Sequence, residues 1–207
     1  MLRYIGKRIL SLIPVMIVVS FVAFLIVYMI PGGPASSILG LEATADEIHA
    51  LNAQLGFDRP FFVQYGDWIV GVLHGDWGNS YFLHESVSTL LGEYFLPTIS
   101  LAIFAQIIAL FISIPLGLIA AYKRGTAIDI TAVTVSLIGS ALPGFLLSMF
   151  LMLAFSVYNH IFPVAGYADL SQGLGEHLKY LFVPALSLGI VQAAYLTRMI
   201  RSSMLDV

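Results

Sequence analysis

YFLPTISLAIFAQIIALFISIPLGLIAAYKR, residues 94–124, runs for 29 residues without a charge and then meets two adjacent cations. A helix needs roughly 20 mostly apolar residues to cross the hydrocarbon core of a bilayer. The run therefore reads as a membrane span that stops at Lys123 and Arg124. Three more runs meet the same standard: 9–30, 130–158 and 180–197, the last being the shortest. Composition agrees, since 59% of the 207 residues are hydrophobic and only 10% are charged, against about 25% charged in soluble domains. The chain is thus expected to be an all-α integral membrane protein with four transmembrane helices. Residues 1–30 form the N-terminal start and first span, 31–93 a long loop, and 94–207 a core with spans at 94–122, 130–158 and 180–197. There are no cysteines, so no disulfide, thiol nucleophile or Cys-based metal site is available.

The charges sort by side. Arg3, Lys7, Arg8, Lys123, Arg124, Arg198 and Arg201 flank the spans on one side, leaving Arg59 and Lys179 on the other. Ten of the twelve acids fall with that second pair; Asp129 and Asp206 do not. Lys and Arg in short flanks mark the cytoplasmic side. Both termini are therefore expected in the cytoplasm, with the 31–93 and 160–179 loops outside the cell membrane. The apolar core of a cleaved signal is about 7–15 residues, and the first run is longer, which favours a retained helix.

The outer loop opens on Pro31-Gly32-Gly33-Pro34, a hard stop for the first span. Thr44 and Glu47 have capping-box spacing, and Ile48, Leu51 and Leu55 follow at helical intervals before Gly56. A short amphipathic helix over 45–55 is predicted. A second one opens at Pro60, with Phe61, Tyr65, Ile69, Val72 and Leu73 on its apolar face. Residues 74–80, HGDWGNS, are turn chemistry. Trp68 and Trp77 are read either as headgroup anchors or as part of a docking surface. The loop's eight acids read as a solvated face or as a patch for a basic partner.

No phosphate-binding loop, nucleophile elbow or HExxH motif is present. The five histidines lie outside the spans and read as plain surface residues. The spans carry no Asp, Glu, Lys, Arg or His, which argues against a proton- or ion-coupled carrier. No catalytic residue, metal site or cofactor is expected, and a membrane enzyme is disfavoured. Energy is either not needed or comes from a partner.

Small residues recur every fourth position: Ala105, Ala109, Ser113, Gly117 and Ala121; Ala132, Ser136, Ser140, Gly144 and Ser148; Ala185, Gly189, Ala193 and Thr197. Such stripes let helices approach closely in lipid. The first span has bulkier Ser11, Val15, Val19, Ala23 and Val27. Spans two to four are therefore expected to form the packed core. Pro143 breaks span three near its middle. Ser136, Ser140, Pro143 and Gly144 are the candidate lining of a substrate path, the alternative being a structural kink between packed helices.

Several segments, in order, resemble one family: YIGKRILSLIP (4–14), the PGGP break, LGFDRP (55–60), Gln64-Tyr65, GDWGNS (75–80), PTISL (97–101), GSALPGF (139–145) and FPVAG (162–166). The chain is similar to the first-type permease subunits of dipeptide, oligopeptide and nickel ABC importers. Two positions depart from the pattern: Gly33 stands where an acid is common and Trp77 where leucine is. The resemblance implies a six-span type I permease with a Glu-Ala-Ala-rich coupling segment after the fourth span. On that reading the end at Val207 is an interruption. It also implies a second homologous permease, two cytoplasmic ATP-binding subunits and an extracytoplasmic substrate-binding protein. Peptides are the foremost cargo, with nickel complexes and sugars behind. Asp76, Trp77 and Gly78 are then candidates for docking on the outer side, and Arg198 and Arg201 serve topology. The alternative is a self-contained four-helix channel or assembly scaffold, or a permease remnant. A reading frame continuing past Val207 into two more apolar spans separates these.

Overall fold

The structure, a computed structural model, describes residues 2–31, 33–40 and 42–205. Gly32 of the Pro-Gly break, Asp206 and Val207 lie outside the described residues, as does the side chain of Arg3. Among the described residues the fold is helical, with one isolated antiparallel bridge between Asn79 and Ser86. The chain divides into two compact units, Met1–Gly92 and Glu93–Val207.

The first unit begins with α1, Leu2–Tyr28, of which Gly6–Tyr28 is long and apolar enough to cross a membrane. α2, Gly33–Leu39, was not foreseen: the Pro-Gly break ends one helix and starts another. Gly33 has φ +71°, and a Cβ there would lie 2.8 Å from Asn52 Oδ1. Only glycine fits that left-handed position against α3. The same Oδ1 accepts the Ala35 N–H at 3.4 Å, tying α2 to α3.

α3 is Ala45–Leu55, with the predicted capping box complete and Gly56 left-handed at φ 75°. Glu47 Oε2 accepts the Thr44 N–H at 2.8 Å and its hydroxyl at 2.7 Å. These bonds, the backbone one foremost, hold the Glu47 carboxyl below its ordinary value of 4.5. A depressed folded pKa stabilises above the unfolded value and is lost as pH falls through the folded one. The first turn of α3 is therefore expected to fray only below about pH 4.5. Backbone exchange protection at Glu47 and Ile48, followed against pH, checks this. Glu47→Gln should remove the acid dependence.

α4, Phe61–Leu73, lies along α1. Phe61 meets Phe21 and Tyr28 at centroid distances of 5.2 Å, and Tyr65 meets Phe24 at 5.5 Å. Tyr65 Oη is 2.9 Å from Ser20 Oγ. The buried face differs from the predicted one. Trp68 joins it, 6.2 Å from Phe24, while Leu73 is left 79% exposed.

In the second unit two of the three small-residue stripes are largely buried. α5 is Val87–Tyr122, and it buries Ala105, Ala109, Ser113, Gly117 and Ala120. α8 is Leu174–Leu205, extending the predicted fourth span at both ends, and its buried set includes Ala185, Gly189, Ala193 and Thr197. A Cβ on Gly189 would sit 2.8 Å from Ile108 Cγ2 and 3.0 Å from the Ala105 carbonyl oxygen; one on Gly117 would sit 2.8 Å from Ile200.

Span three is more than kinked. α6, Ala127–Ala141, and α7, Gly144–Met152, belong to segments bent by 95° at the break. Leu142 is extended and Pro143 caps α7 instead of sitting inside a helix. The third stripe is therefore not continuous: Ser136 is buried, Ser140 is exposed, and a Cβ on Gly144 would meet nothing within 4 Å. A turn of π-helix, Leu153–Tyr158, follows α7. The chain then folds back onto α8, stacking Phe162 on Phe182 at 4.5 Å. His177 corrects the reading of plain surface histidines: it is 3% exposed, and its Nδ1 lies 2.7 Å from the Ala168 carbonyl oxygen.

Candidate functional site

The four candidate path residues lie on either side of the break. Ser136 Oγ donates back to the Ala132 carbonyl at 2.8 Å, and Ser136 lines a depression of about 400 Å³ with Leu116, Thr131 and Val135. Ser140, one turn on, donates to the Leu137 carbonyl at 3.0 Å and accepts from Arg198 Nη1 at 3.1 Å. Pro143 has no N–H to bond back, and Gly144 opens α7. Ser140, Pro143 and Gly144 thus gather at the bend, while Ser136 is enclosed below it.

Arg198 and Arg201 do more than mark topology. Arg201 Nε bonds Asp129 Oδ1, and its Nη2 bonds Oδ2 at 2.8 Å. Asp129 is 3% exposed, and its Oδ2 also accepts the Gly125 N–H at 2.9 Å. The pairing spans 72 residues. The available signal was that Asp129 is one of only two acids on the basic side.

The candidate docking residues form a tight turn in the first unit. Asp76 Oδ1 accepts the Gly78 N–H at 2.9 Å, Gly78 has φ +81°, and its carbonyl accepts from Val87 at 3.0 Å. The Asn79–Ser86 bridge closes the loop. Trp77 is 49% exposed and, with Gly78, borders a cavity of about 860 Å³ whose aromatic walls include Tyr28, Phe57 and Trp68. Both tryptophans border this cavity: Trp68 also packs on α1, and Trp77 is the more exposed of the two. Among the described residues no group of three or more His, Asp or Glu converges as a metal site would require.

An all-helical, multi-pass membrane protein with a broken span is the class defined by this fold. Residues 1–102 match the family described as the N-terminal part of binding-protein-dependent transport system membrane components. Residues 113–207 match the binding-protein-dependent transport system inner membrane component. The chain is 37% identical over 207 residues to the glutathione transport system permease protein GsiC of Salmonella typhimurium, covering 100% of this chain and 65% of that protein. A protein named as a peptide transport system permease in Brucella suis is 37% identical, covering 97% of this chain and 64% of that protein. A peptide ABC transporter permease protein of Sinorhizobium fredii, y4tP, is 33% identical, covering 99% and 65%. The chain spans 64–65% of the length of these relatives. Both halves of the chain are thus similar, in order, to membrane components of binding-protein-dependent transport systems.

Proposed function

We propose that this chain is a transmembrane permease subunit of an ATP-driven importer of di- and oligopeptides. The observation that carries the reading is the match of both halves of the chain, in order, to binding-protein-dependent permease components. In this reading both termini face the cytoplasm, as the charge asymmetry indicates. A second homologous permease completes the translocation path, and two cytoplasmic ATP-binding subunits drive it. An extracytoplasmic binding protein delivers cargo to the outer side, where the Asp76-Trp77-Gly78 turn docks it. The subunit performs no chemistry. Its broken third span, with Ser136, Ser140, Pro143 and Gly144, borders the path, and uncharged spans offer cargo only weak binding. Non-helical backbone at membrane depth suits a segment lining a water-filled passage.

Uptake of labelled dipeptide by cells carrying or lacking the gene tests the function. Uptake that needs the gene and collapses on ATP depletion supports it; unchanged uptake of every peptide in the deletion strain removes it. The docking turn has its own test. Asp76→Ala with Trp77→Ala should raise the binding-protein concentration for half-maximal uptake about tenfold, equivalent to ~1.4 kcal/mol. Uptake at saturation should hold. An unchanged half-maximal concentration would dispose of the docking role.

A further inference from the structure

We infer that Arg198 and Arg201 are positioning residues that clamp both ends of α6 onto α8, so that the two helices move as one body. Arg201 holds the start of α6: its fork takes both oxygens of Asp129, which also binds the Gly125 N–H before the helix. Arg198, three residues earlier on α8, holds the far end through Ser140. Asp129 and Ser140 are separated by roughly 16 Å of helix. Two arginines less than one turn apart on α8 therefore reach both ends of α6. The helices also approach closely beside Ser140, where a Cβ on Gly139 would lie 3.2 Å from Ala194 Cβ.

Past Ser140 the arginine bonds end, although α7 also packs on α8. Leu142 is extended at φ −74° and ψ 127°, and Pro143 cannot donate. α7 buries none of its residues, whereas α6 buries Asp129 and Ser136. Leu142 still donates its N–H to the Ile138 carbonyl, and the Pro143 carbonyl accepts from Leu146 and Leu147, so the bend is built into the ladders of both helices. A buried ion pair adds little net stability over apolar packing, and setting geometry is the use that remains for it. The inference rests on the proposed transport reading for its consequence: movement of α8 would carry α6 and open or close the path at the bend.

The absence of cysteine makes site-directed spin labelling straightforward. Labels on exposed Thr134, Tyr195 and Phe150, placed pairwise by cysteine substitution in the full complex, report α6–α8 and α6–α7 distances by electron resonance. The α6–α8 distribution should be narrow, with the α6–α7 pair reporting the bend. Arg201→Gln should broaden the first. In proteoliposomes Arg201→Gln should also lower peptide imported per ATP hydrolysed by about fivefold or more, with Arg201→Lys intermediate. A broad α6–α8 distribution in the parent complex overturns the clamp. So does an unchanged import-to-hydrolysis ratio in Arg201→Gln. A narrow α6–α8 distribution that broadens in the variant, in a complex that imports no peptide, supports the clamp and overturns the transport reading.

Discussion

Gly189→Leu is expected to leave almost no folded protein in the membrane, while Gly144→Leu is expected to fold as the parent does. Both glycines belong to predicted small-residue stripes, and only the structure separates them. At Gly189 the first added carbon already lies 2.8 Å from Ile108 Cγ2 and 3.0 Å from a backbone oxygen of α5. The isoleucine can rotate; the Ala105 carbonyl cannot. Three further carbons would have to force α5 and α8 apart along their shared stripe of alanine, serine and glycine. Overpacking a tight core costs about 1–3 kcal/mol and occasionally more, and contact with backbone places this case at the upper end. Gly117→Leu should behave alike, against Ile200 and the Thr197 carbonyl oxygen at 3.1 Å. At Gly144 a side chain enters open space, and Val19→Leu changes a residue that is 61% exposed. The fraction of each variant that elutes as a single species from mild detergent decides the matter. Equal behaviour of the Gly189 and Gly144 variants would remove this account of the core.

What could be read beforehand was whatever is local or periodic. The spans follow from runs of uncharged residues, and α3 follows from Thr44, Glu47 and Gly56, whose bonds reach no more than four residues. The stripes on α5 and α8 were visible because small residues at every fourth position face one way on any straight helix. The third stripe failed for the same reason: period-four reasoning presumes a straight axis, and the 95° bend swings α7 onto a different line. Proline announces a break but not its angle, which depends on what the two halves pack against. His177 was misread because a polar residue outside a span has two plausible homes, and which one it takes depends on the loop that packs over it. The Asp129–Arg201 pair is the extreme case, with 72 residues between its members and only a charge out of place as a clue. The candidate path residues were nameable from the Ser-x-x-x-Ser and Pro-Gly pattern. The arginine that engages Ser140 was not.

Phe61→Ala is expected to free α4 from α1 while leaving the second unit intact. Phe61 is the hub of the aromatic contact, with Phe21, Phe24 and Tyr28 of α1 all within 5.7 Å of its centroid. Each edge-to-face pair contributes about 0.5–1.5 kcal/mol beyond area burial. A fully buried Phe→Ala change in a soluble core costs about 3–5 kcal/mol. Two effects reduce that here. Phe61 is only half-buried, and lipid can fill part of the space it vacates, because helices in a bilayer gain little from hydrophobic exclusion. A loss of roughly 1–2 kcal/mol remains, or about 5–30-fold in the opening equilibrium. Amide exchange over α4 should accelerate by that factor, with exchange in α8 unchanged. Phe62→Ala is the matched control, since its ring is 76% exposed although it neighbours the same cluster. If both alanines accelerate exchange equally, α4 is held by its general apolar character, and the specific ring contacts carry no weight. If only Phe61→Ala does, the aromatic contact is what sets the outer module on its membrane helix. The Trp77 turn, which follows α4 directly in the chain, would then inherit its position from that contact, and weakening Phe61 should impair docking without touching Asp76 or Trp77.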